Sequence, residues 1–151
     1  MKITPVKDEN LRDAARVHAA AWRESQREVC SPAFVAAHTT ERQEEYLRKE
    51  LEQGKRLYLL LDPEPAGVVS VWSDRIENLY ILPEKQGRGY GTALLNFAVE
   101  QCKTPCLWIL NTNQRARRFY EKRGFCLTGR ETVLSETLRE LELSKQQSGT
   151  D

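Results

Sequence analysis

One segment restricts the fold of this chain more than any other. An apolar run, Leu79-Tyr80-Ile81-Leu82, ends at Pro83. The charged pair Glu84-Lys85 and Gln86 follow, and then Gly87, Gly89 and Gly91 alternate along the turn. They open onto Thr92-Ala93-Leu94-Leu95-Asn96-Phe97-Ala98-Val99, an apolar run of helical character. A strand that feeds a helix through such a turn predicts a layered α/β architecture. The first amides of a helix have no intrahelical partner, and glycine lets an anion reach the main chain without meeting a Cβ. The segment therefore predicts a seat for a phosphorylated ligand.

The rest of the chain supplies enough apolar residues for one domain. It has 151 residues, 40% of them hydrophobic and 30% charged, with a net charge of +1. That balance fits one ordinary globular core and favours no polyanionic partner. No apolar run reaches the roughly 20 residues needed to cross a bilayer. The first residues, Met1-Lys2-Ile3-Thr4-Pro5, hold no apolar signal core, so the expected location is the cytoplasm, with no membrane partner. Cys30, Cys102, Cys106 and Cys126 lack zinc-ribbon spacing and neither histidine is near a cysteine in sequence, so partly buried thiols and no metal are expected.

Periodicity and turn signals give the element order. A strand over Lys2–Val6 leads to a helix from Glu9 to about Gln26, with Leu11, Ala14, Ala15, His18, Ala21 and Trp22 on one stripe. Ser31-Pro32 suits the start of a short helix reaching His38. A further helix begins at Thr40 and stops at Gly54. Three strands follow, at Arg56–Leu61, Ala66–Trp72 and Arg75–Leu82, in the manner of a meander. The helix from Gly89 to about Cys102 then leads to a strand at Cys106–Leu110. A helix from Asn113 to Gly124 precedes strands at Phe125–Val133 and Thr137–Leu143. This order predicts a mixed α/β sheet with helices on both faces. Residues 1–143 form the domain, and the polar stretch Ser144–Asp151 is expected to be a frayed tail.

The glycine turn matches neither common nucleotide loop. A P-loop needs Gly-Lys-Ser/Thr, which is missing, and a dinucleotide fingerprint would need glycine at Thr92 or Leu94. What remains is Gln86-x-x-Gly89-x-Gly91. A second segment adds specificity. In it Asn113 is set to cap a helix, Ala116, Phe119 and Tyr120 share one helical face, and Gly124 ends it. Between Asn111 and Gly124 there are five basic residues and one acidic residue, which suits a polyanion held jointly with the glycine turn.

Together these segments resemble the GCN5-related N-acetyltransferase superfamily. Its acyl-CoA motif is matched by Gln86, Gly89 and Gly91. Its downstream motif is matched by Asn113, Ala116, Phe119, Tyr120, Glu121, Gly124 and Phe125. The resemblance implies a central mixed sheet of about seven strands flanked by about four helices. It implies acetyl-CoA as co-substrate and direct transfer of acetyl to a primary amine in a ternary complex. The pantetheine arm would run along the strand edge at Leu79 and Ile81, with a strand N–H near Ile81 as the oxyanion donor. The pyrophosphate would meet Gln86, Gly87, Arg88, Gly89, Tyr90, Gly91 and Thr92, and Asn113 and Phe119 would also contact the cofactor. Lys85, Arg88 and Arg115 are the cationic candidates. Tyr120 matches the general acid near the sulfur.

The base is less defined. The position at which many relatives carry glutamate is Arg75. Glu77, two residues on, is placed on the same face as Leu79 by strand alternation. It is the candidate base, directly or through water, beside a water chain built on other polar groups. His18 is expected to be a hydrogen-bonded core residue, while His38 falls where a substrate contact is conceivable. Trp22, Trp72 and Trp108 read as core or groove aromatics. The resemblance also implies that the segment Trp22–His38 covers the acceptor, a small-molecule or peptide amine, and it allows a homodimer. Two rivals stand beside the enzyme: a non-catalytic acyl-CoA-binding module of the same fold, and a nucleic-acid module on the Arg115–Arg123 helix, which near-neutral charge disfavours.

Overall fold

The computed structural model describes residues 1–146. Its elements are β1 (Lys2–Pro5), α1 (Leu11–Gln26), α2 (Pro32–Ala36), α3 (Thr40–Glu52), β2 (Arg56–Leu61), β3 (Pro65–Trp72), β4 (Arg75–Ile81), α4 (Tyr90–Glu100), β5 (Cys106–Leu110), α5 (Gln114–Glu121), β6 (Cys126–Val133) and β7 (Arg139–Ser144). A single 3₁₀ turn, Pro83–Lys85, separates β4 from the glycine turn. The sheet has seven strands in the order β1-β2-β3-β4-β5-β7-β6. Five α-helices among the described residues flank it, in keeping with the expected seven-stranded mixed sheet, and the short helix predicted from Ser31-Pro32 is the five-residue α2. Ser144 closes β7 opposite Cys106 and Cys126, so the last strand runs into the expected tail, whose residues 147–151 lie outside the described residues.

Local chemistry explains the helix starts. Ser31 Oγ accepts the Phe34 N–H at 3.3 Å, and Pro32 begins α2. Thr39 Oγ1 accepts the Arg42 N–H at 3.2 Å, which makes Thr39 the cap of α3. Asn113 Oδ1 accepts the Ala116 N–H at 3.1 Å and caps α5 as its sequence position predicts.

Each face of the sheet buries one apolar cluster. On one side α1 and α3 supply Leu11, Ala14, Ala15, Val17 and Leu47, which pack on Leu57, Leu59 and Val68. On the other, α4 supplies Leu94, Leu95, Ala98 and Val99 against Val69, Val71, Ile76, Leu107 and Leu143. Period-two alternation of β3 explains the division: Val68 serves one cluster, Val69 and Val71 the other. Trp72 is half-exposed, which corrects its assignment to the core or groove. The four cysteines form no disulfide, and Cys126 is exposed rather than partly buried. Among the described residues no helix is long and apolar enough to cross a membrane.

Two features of β4 position the site. First, β4 pairs with β3 along its length but meets β5 in parallel register only at Arg75 and Cys106. Beyond that pair the edge of β4 is open. Second, the β3–β4 register slips between Val68 and Ser70, which face Tyr80 and Glu77. Two residues, Asn78 and Leu79, therefore sit opposite Val69 alone, and Asn78 has φ +52°. This is a β-bulge, and it bends the strand and shifts its alternation by one residue.

Gly67 lets α4 and β4 close on β3. A Cβ there would come within 2.6 Å of Ile81 Cδ1, 2.8 Å of Leu94 Cδ1 and 3.2 Å of Tyr80 O. Gly67→Ala is expected to destabilise the fold by about 1–2 kcal/mol, the overpacking cost partly offset by lower unfolded-state entropy. Urea unfolding at constant m-value is the measurement. A stability equal to or above that of the parent would show that the contact is loose.

Candidate active site

Where β4 leaves β5, a groove of about 650 Å³ opens between β4, the glycine turn and α5. Its walls include Leu79, Tyr80 and Ile81 of β4. The turn and the first residues of α4 add Lys85, Gln86, Gly87, Gly89, Tyr90, Gly91 and Thr92. Asn113, Arg115, Ala116, Phe119, Tyr120 and Arg123 come from α5 and its ends, and Ala21, Glu24 and Ser25 from α1.

The β4 edge offers backbone donors to this groove. Leu82 N–H donates to Ala66 O at 2.9 Å, so it points toward β3. The preceding residue points the other way. Ile81 O accordingly accepts from Gln86 Nε2 on the groove side, at 3.4 Å, and the Ile81 N–H shares that direction.

The glycine turn leaves its main chain uncovered. Gly87 and Gly89 have φ of +79° and +84°, which is the left-handed region that favours glycine. A Cβ at either would meet no heavy atom within 4 Å, so the main chain there stands open. The first intrahelical bond of α4 is Ala93 N–H to Gly89 O. The amides from Gly89 to Thr92 precede it and carry the positive end of the helix dipole.

Arg123, which occupies no motif position, adds a fixed cation. Its guanidinium donates to Thr92 Oγ1 at 2.6 and 3.1 Å and to Phe119 O at 2.8 Å. It also lies 3.8 Å from the Phe119 ring centroid. The local excess of basic residues was visible in the sequence, but which of them turned inward was not. Arg88 is the reverse case. It is absent from the groove wall and instead faces the Tyr90 hydroxyl and the Asp62 carboxylate. Tyr90 lends its ring to the wall, while its hydroxyl donates to Asp62 Oδ2 at 2.6 Å and ties the start of α4 to the β2–β3 turn.

Tyr120 lies in the groove, its ring 5.2 Å from Phe119 and 5.8 Å from Phe125. Burial, helped by nearby Tyr80, pushes its phenol up to about 12. The group therefore keeps its proton at neutral pH and can donate a hydrogen bond.

Glu77 does not reach the groove wall. The bulge turns it to the same face as Tyr80 and away from that of Leu79, which overturns the alternation argument. Its carboxylate is held by Lys55 Nζ at 3.2 Å and by Arg75 Nε at 3.2 Å. Lys55 also meets Glu50 at 2.9 Å. Glu77 is thus a member of an ion cluster between α3 and the sheet.

Behind Tyr80 lies a second chamber, of about 350 Å³. Its walls are His18, Trp22, His38, Arg42, Gln43, Tyr46, Asn78 and Tyr80. Tyr80 borders both spaces. The His38 ring stacks on Trp22 at 3.6 Å, and Arg23 Nη1 holds His38 O at 2.6 Å. His18 is only 4% exposed, and neither ring nitrogen has a hydrogen-bond partner. The expected hydrogen-bonded core histidine is therefore in the core without its bonds. Burial lowers its pKa to about 4, against an opposing contribution from its own backbone and with a lesser lowering from nearby His38.

A splayed strand edge, a glycine-lined helix start and a protonated phenol thus border one groove of an α/β sheet. The acetyltransferase (GNAT) family model matches residues 19–125, and the chain belongs to that family. An uncharacterized N-acetyltransferase of Archaeoglobus fulgidus is 44% identical over 50 residues, a match spanning 30% of this chain and 34% of that protein. Among solved structures, the PaiA N-acetyltransferase of Thermoplasma acidophilum, in complex with coenzyme A, has a TM-score of 0.68 at 18% identity over 97% of this chain and 100% of its own. A GNAT acetyltransferase of Bacillus cereus has a TM-score of 0.73 at 13% identity over 98% of both chains. A point mutant of the spermidine N-acetyltransferase SpeG of Vibrio cholerae has a TM-score of 0.69 at 19% identity over 97% of this chain and 95% of its own. These structures share the fold.

The unpaired imidazole has a measurable consequence. Above pH 6.5 His18 is neutral in both folded and unfolded chains. As pH falls toward 4 the unfolded chain takes up a proton that the folded chain refuses, so stability is lost across that window. The loss is about 3 kcal/mol at its full extent. Denaturant unfolding at pH 7.5 and 4.5 should show a smaller difference in His18→Gln than in the parent. Equal differences would mean that the imidazole is already solvated in the folded state.

Proposed function

We propose that the chain is an acetyl-CoA-dependent N-acetyltransferase that acetylates a primary amine by direct attack in a ternary complex. The observation that carries this reading is the joint groove: open amides at the start of α4, an outward N–H at Ile81 and the Tyr120 phenol border one continuous space. Family membership supports the same reaction class.

Coenzyme A fits this groove on physical grounds. Its pyrophosphate suits the amides from Gly89 to Thr92, where no Cβ intrudes at Gly87 or Gly89. Arg123, Lys85 and Arg115 neutralise further phosphate charge. Its pantetheine arm carries amide groups that can pair with the free edge of β4, as an added strand would. Leu79 and Ile81 cover the apolar part of that arm on one side, Phe119 on the other.

Acetyl-CoA supplies an acetyl thioester. In the transfer a bond forms between the amine nitrogen and the acetyl carbon, and the carbon–sulfur bond breaks. The sulfur leaves with the electron pair and receives a proton, while the nitrogen gives one up. The Ile81 N–H is the donor for the developing oxyanion. Tyr120 is the donor for the departing sulfur. Its high pKa means that the phenol stabilises the thiolate first by hydrogen bonding, since outright transfer to a thiol of pKa about 8.5 runs uphill. The amine proton leaves to water, because Glu77 is occupied by Lys55 and Arg75.

Removing the phenol oxygen while keeping the ring isolates its role. Tyr120→Phe should lower kcat by about 10²-fold or more, with calorimetric CoA affinity unchanged. An unaltered kcat would remove Tyr120 from the chemistry. Arg123→Gln should instead weaken CoA binding by about tenfold, near 1.4 kcal/mol, and flatten its salt dependence. CoA affinity without thiol release from acetyl-CoA for any amine would favour the non-catalytic binder.

A further inference from the structure

The chamber behind Tyr80 has a composition that selects among amines. At its floor sits His18, almost fully buried with both ring nitrogens unpaired. A neutral imidazole has one donor and one acceptor, and leaving both unmet costs about 1–3 kcal/mol each. Buried polar groups are rarely left so, and the gap points to a ligand that supplies the missing bond. The walls are the rings of Trp22, Tyr46 and Tyr80, with Tyr80 edge-on to His18 at 4.8 Å.

The charge at the chamber is equally specific. No Asp or Glu among the described residues lines it. Glu50 of α3 and Glu77 of β4 are both engaged by Lys55, and Glu41, Glu44 and Glu45 of α3 are paired with Arg12, Arg48 and Lys49. Among the described residues, Arg42 is the one formally charged side chain in the wall, and it lies on the exposed side of α3. One of its N–H groups goes to Ala37 O at 3.3 Å. A guanidinium has five donors in a planar fork, so enough remain to take a carboxylate.

We propose that this chamber seats the acceptor, and that the acceptor is an amino-acid-type molecule: a primary amine on a flat or apolar body that also carries a carboxylate. The inference rests on the acetyl-transfer reading above and deepens it. The amine end lies at His18, beside Tyr80 and hence next to the groove. A neutral amine donates one N–H to the imidazole and keeps its lone pair for the thioester. The body fills the space between the aromatic walls, and the carboxylate meets Arg42 at the mouth. A polyamine is disfavoured by the same geometry. Its second ammonium would enter beside a guanidinium, with no carboxylate in the wall to balance it.

The test measures thiol release from acetyl-CoA with phenylalanine, with 2-phenylethylamine, which lacks the carboxylate, and with spermidine. CoA affinity is followed by calorimetry in parallel. The parent protein should show kcat/KM at least tenfold higher for phenylalanine than for 2-phenylethylamine, with spermidine lowest. Arg42→Gln, at an exposed position, should bring the first two to near equality with CoA affinity unchanged. His18→Gln should lower kcat/KM for both aryl amines by tenfold or more, again without loss of CoA affinity. Preference for spermidine, an unchanged ratio in Arg42→Gln, or intact CoA affinity without turnover of either aryl amine would overturn the proposal. Loss of CoA binding by the parent protein itself would instead strike the acetyl-transfer reading beneath it.

Discussion

The site depends on the parting of β4 from β5. A strand within a sheet spends its amides on both neighbours. Here β4 spends them on β3 alone after Arg75, because its parallel pairing with β5 holds one register position. The open edge is a row of backbone donors and acceptors that would be a liability on an outer strand. In the interior of this sheet it becomes the wall of a groove. The bulge at Asn78 bends β4 at the same place and gives Tyr80 to one side of the sheet and Leu79 and Ile81 to the other. One irregularity therefore arranges both the groove and the chamber behind it.

The start of α4 illustrates how backbone and side chain combine at the groove. The glycines leave the amides uncovered, and the helix contributes direction and partial charge. Arg123 then fixes a full charge beside them by tying itself to Thr92 and Phe119. A cation held by three hydrogen bonds and an aromatic face has little freedom left to lose when a ligand arrives. That is a form of preorganisation, and it matters more than the number of basic residues on α5.

Burial sets the chemistry of the polar groups. Tyr120 keeps its proton because the ionised phenolate would be poorly solvated, and His18 refuses one because the imidazolium would be. Both groups enter the neutral pH range uncharged, one as a donor and one as a neutral partner. Glu77, by contrast, lies in a cluster that balances it with Lys55 and Arg75. Through Lys55, which also meets Glu50, that cluster links α3 to the sheet.

The element order, the two-faced sheet, the glycine-lined helix start and the cap at Asn113 were all legible in the chain as text. Each follows from local rules: periodicity, the special backbone freedom of glycine, and short-range side-chain bonds to amides. These rules extend over a few residues. Contacts between distant segments settled the rest. Alternation along β4 predicted a shared face for Glu77 and Leu79, but pairing with β3 inserted a bulge and separated them. The helical stripe placed His18 in the core, yet only the packing of α1 on β4 and α3 left its nitrogens unpaired beside a chamber. Which basic residues line the groove, Arg123 rather than Arg88, likewise depended on contacts between segments 28 and 31 residues apart. Folding alone brings such segments together, and no local pattern encodes their meeting.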